Sequence, residues 1–427
     1  METEQQPRSD LVVMGQGYVG LPLAQEACSA GLKVVGFDLN PGLVRSLNAG
    51  ISHIDDLSDE DLATMRTMGY EASSDPEVLS HADAIVICVP TPLSKDGSPD
   101  MKYVESAATT VARHLTRGTL VSLESTTYPG TTNDVLKPLL EEQGFTVGED
   151  VYLSFSPERI NPGDPVYGFR NTPKVLGGVT PACTKRATEF YEKIVDRVVP
   201  VSGPKEAEMT KLLENTYRHV NIALVNELAK ACRGLGIDLH EVVDAAKTKP
   251  FGFQAFYPGP GVGGHCIPID PNYLSFTIKS ELGSPFRFVE LAQEINESMP
   301  RYVRDRIAEE LNAHRKPIAG SKVLLLGVTY KPNIADQRES PSVPLGKLLN
   351  ESGADLRFHD PKVERWTVTP GNALQRVDNL DQEINEADII VLLQNHVAYK
   401  ELDFTTVSVP VLDTRGVLAK ATNVTGL

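Results

Sequence analysis

Cys266 is the residue of this chain best placed for covalent chemistry. It ends the run Gly261-Val262-Gly263-Gly264-His265-Cys266. Glycines let a backbone approach a ligand closely and leave a thiol accessible, and a thiolate beside positive charge is a strong nucleophile. Asp270 follows four residues later, bracketed by Pro268 and Pro271. The other four of the five cysteines, Cys28, Cys88, Cys183 and Cys232, fall in stretches that read as helix or strand. They are expected to be small core residues. An odd count without a CxxC pair argues against a disulfide framework or a Cys-rich zinc site. His265 has no second His or Cys at metal spacing, so no metal is expected.

A second constellation lies near the N-terminus. Gly15-Gln16-Gly17-Tyr18-Val19-Gly20 matches GxGxxG, directly after an apolar strand and opening a helix. Gly15 permits the tight turn, Gly17 admits a pyrophosphate, and Gly20 allows close helix–strand packing. Asp38 ends the second strand, where an acid accepts hydrogen bonds from adenosine ribose hydroxyls. Its charge repels a 2′-phosphate, so the expected cofactor is NAD, not NADP. Thr91 follows the third strand, and Ser125 and Thr126 follow the fourth. Strand ends line a cofactor crevice, although a plain turn explains these three residues about as well.

These residues need a scaffold. Strands from Leu11, Lys33, Ala82, Thr119 and Val151 alternate with helical stretches, which implies a doubly wound parallel sheet. Lys205 to Gly234 reads as one long helix with an apolar row at Met209, Leu213, Val220, Leu224 and Leu228. A second helix is expected from Phe286 to Ala313. The Pro/Gly-rich segment between them, from Phe256 to Pro271, is expected to be irregular. A weak internal repeat follows: SKVLLLGVTYK matches DLVVMGQGY, GADLRFHDP matches GLKVVGFDLN, and ADIIVLLQN matches ADAIVICVP. The fold class is therefore α/β, with two Rossmann-like parallel-sheet domains joined by a helical central region. The expected domains are 1–203 for NAD, 204–315 for the central helices and catalytic loop, and 316–427 for the substrate nucleotide. The second Rossmann-like domain lacks the glycine fingerprint, since Gly327 is followed by Val-Thr-Tyr-Lys. The two are expected to bind different things.

With these motifs in order, the chain from about residue 10 to 420 resembles the UDP-glucose/GDP-mannose dehydrogenase family. The resemblance rests on Gly15 to Gly20, Ser154-Phe155-Ser156-Pro157-Glu158, Lys211 with Asn215, the loop Pro258 to Pro271, and Lys331 with Asp336-Gln337-Arg338-Glu339-Ser340. It implies a two-step oxidation of a sugar CH₂OH through a Cys266 thioester. Lys211 and Asn215, i and i+4, read on spacing alone as a solvated helix face. The resemblance makes them the pair opposing an oxyanion at C6. It makes Asp270 and Glu158 the acids that hold or activate water, either one the general base. Among the catalytic residues it also counts Thr126. Substrate contacts are implied for Glu158, Arg159, Lys211, Asn215, Gly263, Lys331 and Arg415. Arg338 is implied to reach the cofactor. His265 and Ile269 stand where the UDP-glucose enzymes have Ser and Lys. The segment Lys249 to Phe253 with Tyr257-Pro258-Gly259-Pro260 is most similar to the branch oxidising UDP-N-acetylglucosamine. UDP-N-acetylmannosamine comes second, UDP-glucose third, and GDP-mannose last. The family's long helix implies a homodimer or larger.

Composition agrees with a soluble enzyme. The 427 residues carry a net charge of −16, which disfavours nucleic-acid binding. A polar N-terminus without a signal-peptide apolar core, and no apolar run near ~20 residues, point to the reducing cytoplasm with no membrane partner. Two rivals remain at this stage. A hydroxyacid dehydrogenase of the 6-phosphogluconate type would need neither Cys266 nor a third domain. A nucleotide-sensing module would bind without turnover.

Overall fold

The computed structural model describes residues 9–54, 57–94, 98–160, 166–264 and 267–427. Cys266 and His265 lie outside the described residues. The chain forms two compact units: 1–214 with 272–284, and 215–271 with 285–427.

The first unit is built on an eight-stranded sheet in the order β3-β2-β1-β4-β5-β6-β7-β8. The strands are β1 Ser9–Met14, β2 Val34–Phe37, β3 Glu71–Ser73, β4 Ala82–Ile87, β5 Leu120–Leu123, β6 Tyr152–Phe155, β7 Lys174–Gly178 and β8 Val198–Pro200. The first six are parallel, in the order of a dinucleotide-binding Rossmann sheet, and β7 runs antiparallel to β6. The strands read as continuous apolar runs because both faces are covered. Leu11 and Val13 enter one core cluster and Val12 and Met14 the other. The order reverses between β1 and β4, so the crevice at their C-terminal ends is the switch point where such sheets take ligands. The sequence pattern did not reveal β3, β7 or β8, which are short or flanked by polar residues.

The second unit holds a five-stranded parallel sheet, β10-β9-β13-β14-β15. Its strands are β9 Lys322–Leu326, β10 Asp355–His359, β13 Ile389–Leu392, β14 Val411–Asp413 and β15 Val424–Gly426, with a hairpin of β11 Arg365–Thr369 and β12 Asn372–Gln375. The same alternation recurs, with Val323 and Leu325 on one face and Leu324 and Leu326 on the other.

The long helix spans Pro204–Leu235 and the later one Arg287–Ala313. Most of the long helix's expected apolar row is exposed, with Leu213 at 60 % and Leu224 at 51 %, and Val220 is half-buried; Glu208, Asn215, His219 and Asn226 are buried with Leu212, Ala223 and Val225 instead. The segment expected to be wholly irregular ends in a helix, Asp270–Leu282. Pro271 is tolerated there because the first helical turn needs no backbone donor. Among the described residues, no helix is long and apolar enough to cross a membrane.

Candidate active site

The residues singled out divide between the two units, and each unit assembles its own share. In the first, Gly15 takes a φ of +89°, and a Cβ there would lie 2.6 Å from the Cys88 carbonyl oxygen. A Cβ on Gly20 would sit 1.9 Å from the Gly15 carbonyl oxygen, so the helix Gly20–Ser29 starts hard against the turn. Gly17 differs: a Cβ there would meet nothing within 4 Å among the described residues. Its side faces open space, as a backbone position approached by a ligand must. Tyr18 and Val19 complete the turn. Val19 offers the helix no side-chain cap, and the first turn carries no acid. The positive end of the helix is thus left for an anion. The Asp38 carboxylate accepts from the Gln16 N–H at 3.1 Å and the Asn40 N–H at 2.9 Å. It is half-buried at the tip of β2, oriented but reachable. Together these features fit a bound dinucleotide.

The neighbouring strand ends are pinned. Ser125 donates to the Val89 carbonyl at 2.7 Å. The Tyr273 hydroxyl donates to the Thr91 carbonyl at 2.8 Å. Thr126 is half-buried after β5, beside Thr127, whose buried hydroxyl has no hydrogen-bond partner among the described residues.

Glu158 follows β6. Its Oε1 accepts the backbone N–H groups of Arg159 and Ile160, both at 2.6 Å, and its carbonyl oxygen accepts from the Lys211 ammonium. The structure therefore brings Glu158 and Lys211 together through the backbone. Arg159 turns away, to Glu214 at 2.6 Å and the Pro173 carbonyl at 2.7 Å. Glu208, on the same helix as Lys211, accepts from Gly130 N–H at 2.6 Å and from the Thr132 hydroxyl at 2.7 Å. Burial pushes its pKa up to about 7.

In the second unit, the Asn215 amide donates to the Asp270 carboxylate, and both side chains are buried. The glycine-rich segment from Gly259 enters under a buried amide clamp. The Asn226 carbonyl accepts the Gly259 N–H at 3.0 Å, and its NH₂ donates to Asn296 at 2.9 Å. Asn296 in turn donates to the His219 carbonyl at 3.3 Å. Burial brings the His219 pKa down to about 4, so the ring is neutral near pH 7. A cavity of about 500 Å³ adjoins the loop, bordered by His219, Val262, Asn296, Pro300 and Pro341.

The loop glycines serve packing. A Cβ on Gly263 would lie 2.7 Å from Tyr330 and 2.8 Å from the Glu339 carbonyl, and one on Gly264 would lie 2.8 Å from the Tyr330 ring. Tyr330 precedes Lys331, so the loop rests on the turn that carries this lysine, which is half-buried. Arg415 is half-buried after β14, and its guanidinium lies 3.0 Å from where a Gly259 Cβ would sit. Burial lowers its pKa to about 10 against the opposing pull of Asp413, and it stays charged at neutral pH. Arg338 is exposed and forms a bidentate pair with Asp336, with its closest contact at 2.7 Å. Glu339 beside it holds a left-handed φ of +50°. Sequence reasoning missed Asn226, Asn296 and His219, which look like ordinary helix polars. For His219 and Asn226, only their seven-residue spacing on one side of the long helix could have signalled burial, and Asn296 lies on the other helix with no such signal.

Three consecutive segments match the UDP-glucose/GDP-mannose dehydrogenase family: its NAD binding domain over residues 9–195, its central domain over 205–298 and its UDP binding domain over 324–420. The chain belongs to this family and is an NAD-dependent nucleotide-sugar dehydrogenase acting on a CH–OH group. It is 36% identical over 424 residues to the UDP-N-acetyl-D-mannosamine dehydrogenase of Escherichia coli K12, covering 95% of this chain and 98% of that one. It is 34% identical to the NDP-N-acetyl-D-galactosaminuronic acid dehydrogenase of Ralstonia solanacearum, covering 95% of each. Among solved structures, the UDP-D-ManNAc dehydrogenase of Pyrococcus horikoshii superposes with a TM-score of 0.88 at 32% identity, over 97% of this chain and 98% of that one.

Proposed function

We propose that the chain oxidises C6 of a UDP-N-acetylhexosamine to the carboxylate in two steps, through a thioester on Cys266. The observation that carries this reading is the buried bond from Asn215 to Asp270, the acid four residues beyond Cys266. NAD⁺ held at the Gly15 turn by the helix amides and Asp38 supplies the hydride acceptor, twice per sugar. Lys211 and Asn215 oppose the charge that develops on the C6 oxygen. The Cys266 thiolate adds to the C6 aldehyde to give a thiohemiacetal, and loss of hydride leaves the thioester. Water then cleaves the C–S bond, releasing the carboxylate and the thiolate. Asp270 and Glu158 are the two acids that can take the proton, and Glu158 is oriented by two backbone donors on one oxygen. Thr126, Arg159 and Gly263 contribute to the sugar site, Lys331 and Arg415 to the nucleotide, and Arg338 to the cofactor.

The names of the E. coli and P. horikoshii relatives favour UDP-N-acetylmannosamine as the substrate. This moves the expectation away from UDP-N-acetylglucosamine, its C2 epimer. The second reading keeps that epimer on the loop residues Lys249 to Phe253 and Tyr257 to Pro260. The reading keeps the divisions 1–203, 204–315 and 316–427 as cofactor, central and UDP domains. It places the enzyme in the reducing cytoplasm, where the Cys266 thiol stays free. A homodimer is supported by the exposed row Met209, Leu213, Tyr217, Leu224 and Leu228. Light scattering at twice the 46.5 kDa of one chain would bear it out, and a monomer would end it.

The central test is NADH yield with UDP-N-acetylmannosamine, UDP-N-acetylglucosamine and UDP-glucose, for wild type and Cys266→Ser. We expect two NADH per sugar from one of them, with the variant losing the second oxidation. One NADH per sugar, unchanged in the variant, would remove the thioester and return the chain to a simple hydroxyacid dehydrogenase.

A further inference from the structure

Lys174 belongs to none of the motifs used so far. It opens β7 and is 5 % exposed. Its ammonium donates to Glu124 Oε2 at 2.8 Å and reaches Glu158 Oε2 at 3.4 Å. It also lies 4.5 Å from the centroid of the Phe169 ring. Glu124, just beyond β5, is itself buried. Its other oxygen accepts the Tyr191 hydroxyl at 2.5 Å, and that hydroxyl lies 2.9 Å from the Ser122 hydroxyl. Three strand ends and one helix thus meet in a buried ion cluster of one cation and two acids. An ammonium this deep would be costly unless paired. Burial works against its charge, but the carboxylates of Glu124 and Glu158 outweigh it and hold the Lys174 pKa above the ordinary lysine value.

One acid would suffice to neutralise a buried lysine. The contact to Glu158 is additional, and it engages the oxygen that the two backbone N–H groups leave open. We propose that Lys174, backed by Glu124, is a positioning residue that holds the Glu158 carboxylate in one orientation for the oxidation. This rests on the reading of Glu158 as an acid of the sugar site. Each arm of the cluster has its own task. Arg159 and Ile160 amides fix Oε1, Lys174 fixes Oε2, and Lys211 holds the Glu158 carbonyl. The Arg159 guanidinium is taken by Glu214, and the Cys88 thiol nearby is kept protonated by burial. Glu124 divides the field of the one ammonium with Glu158, so the two partners of Lys174 compete.

That competition gives the test a sign. Wild type, Lys174→Met, Lys174→Arg and Glu124→Gln are compared for the pH dependence of kcat and for KM of NAD⁺. Lys174→Met should move the acid limb of the kcat profile up by about one to three pH units and lower kcat about tenfold near pH 7. KM for NAD⁺ should stay within about twofold. Lys174→Arg should restore most of the rate, and Glu124→Gln should move the limb the opposite way. A folded Lys174→Met with the wild-type profile would overturn the proposal. So would activity lost in both variants with unmoved limbs, the mark of a purely structural cluster. If Lys174→Met does not fold, Lys174→Arg and Glu124→Gln carry the same test. A wild type inactive on all three UDP-sugars would instead sink the functional reading. The ¹³C resonance of the Glu158 carboxyl, assigned with Glu158→Gln, then decides the positioning role alone. It should shift in Lys174→Met (or in Glu124→Gln, should that variant not fold) and hold in Lys174→Arg; a resonance unmoved in both would overturn the proposal.

Discussion

The two parallel sheets begin with the same turn and finish it differently. After β1, the Gly15 N–H reaches the Phe37 carbonyl at 2.8 Å, and the Gln16 N–H reaches Asp38. After β9, the Gly327 N–H reaches the His359 carbonyl at 2.9 Å, and the Val328 N–H reaches Asp360 at 2.8 Å. From there the paths diverge. The third position of the first turn is Gly17, facing open space. Its counterpart is Thr329, buried, its hydroxyl bonded to the Lys331 carbonyl and beside His396. Asp38 stays half-open, whereas Asp360 is fully buried and meets His396 at 3.2 Å. The second turn has filled its would-be dinucleotide site with its own side chains. One backbone plan can therefore serve as a cofactor cradle or as a structural joint, and a few side chains decide which.

The largest break should come from Gly20→Ala. Its Cβ would overlap the Gly15 carbonyl, and a backbone atom cannot be rotated aside. We expect a loss of about 3 kcal/mol, read by urea unfolding, with NAD⁺ binding lost alongside. Asp360→Asn should come next, at about 2 kcal/mol, because it weakens a carboxylate held by Val328, Lys362 and His396. NAD⁺ binding should not change. Burial alone would raise the Asp360 pKa, but the His396 hydrogen bond and the backbone donors outweigh it and hold the pKa below the ordinary value. Its stabilisation is therefore fully present above the unfolded value of about 3.9 and lost as pH falls through the lower folded value. The gap between wild type and Asp360→Asn should hold from neutral pH down to about 3.9 and close as pH falls from there through the lower folded value. A gap that persists once the folded carboxylate is protonated would mean that shape and not charge locks the second turn.

Much of this contrast was legible in the chain. GxGxxG after an apolar run, an acid at the next strand's tip, and the loss of the glycines after Gly327 all lie within local pattern. What closes the second turn was not, because His396 comes 67 residues after Thr329. The same holds for Lys174 and Glu124, which are 50 residues apart. Neither shows a periodicity that marks it as buried. The exposed leucine row of the long helix resisted for another reason: periodicity reports a helix face, not what covers it.

Asp38→Ala and Gly17→Ala test the open turn without harming the fold. Each should raise KM for NAD⁺ about tenfold, ~1.4 kcal/mol, with the unfolding midpoint unchanged. Asp38→Ala should also narrow the preference over NADP⁺. If Gly17→Ala binds NAD⁺ normally, the open side of that glycine is not where the pyrophosphate lies, and the cradle reading of the first turn fails.

The smallest effect should come from Tyr70→Phe, and it asks what holds the open turn in shape when no side chain fills it. The Tyr70 hydroxyl donates to Gln16 Oε1 at 2.8 Å, and the Gln16 NH₂ donates to the Val13 carbonyl at 2.8 Å. Gly36 admits this pair, since a Cβ there would lie 2.5 Å from each oxygen. Gln16 is fully buried, and its backbone N–H is the one that orients Asp38. The turn is thus braced from below, through Gln16, while its upper side stays clear. The second turn has Val328 at this position and is braced from above by His396. Tyr70→Phe leaves one buried carbonyl without its donor, which should cost about 1 kcal/mol of stability. KM for NAD⁺ should move by less than about twofold, because the Val13 bond still holds the amide. A tenfold rise in KM would show that Tyr70 sets the Asp38 geometry and that the open turn is held as tightly as the closed one.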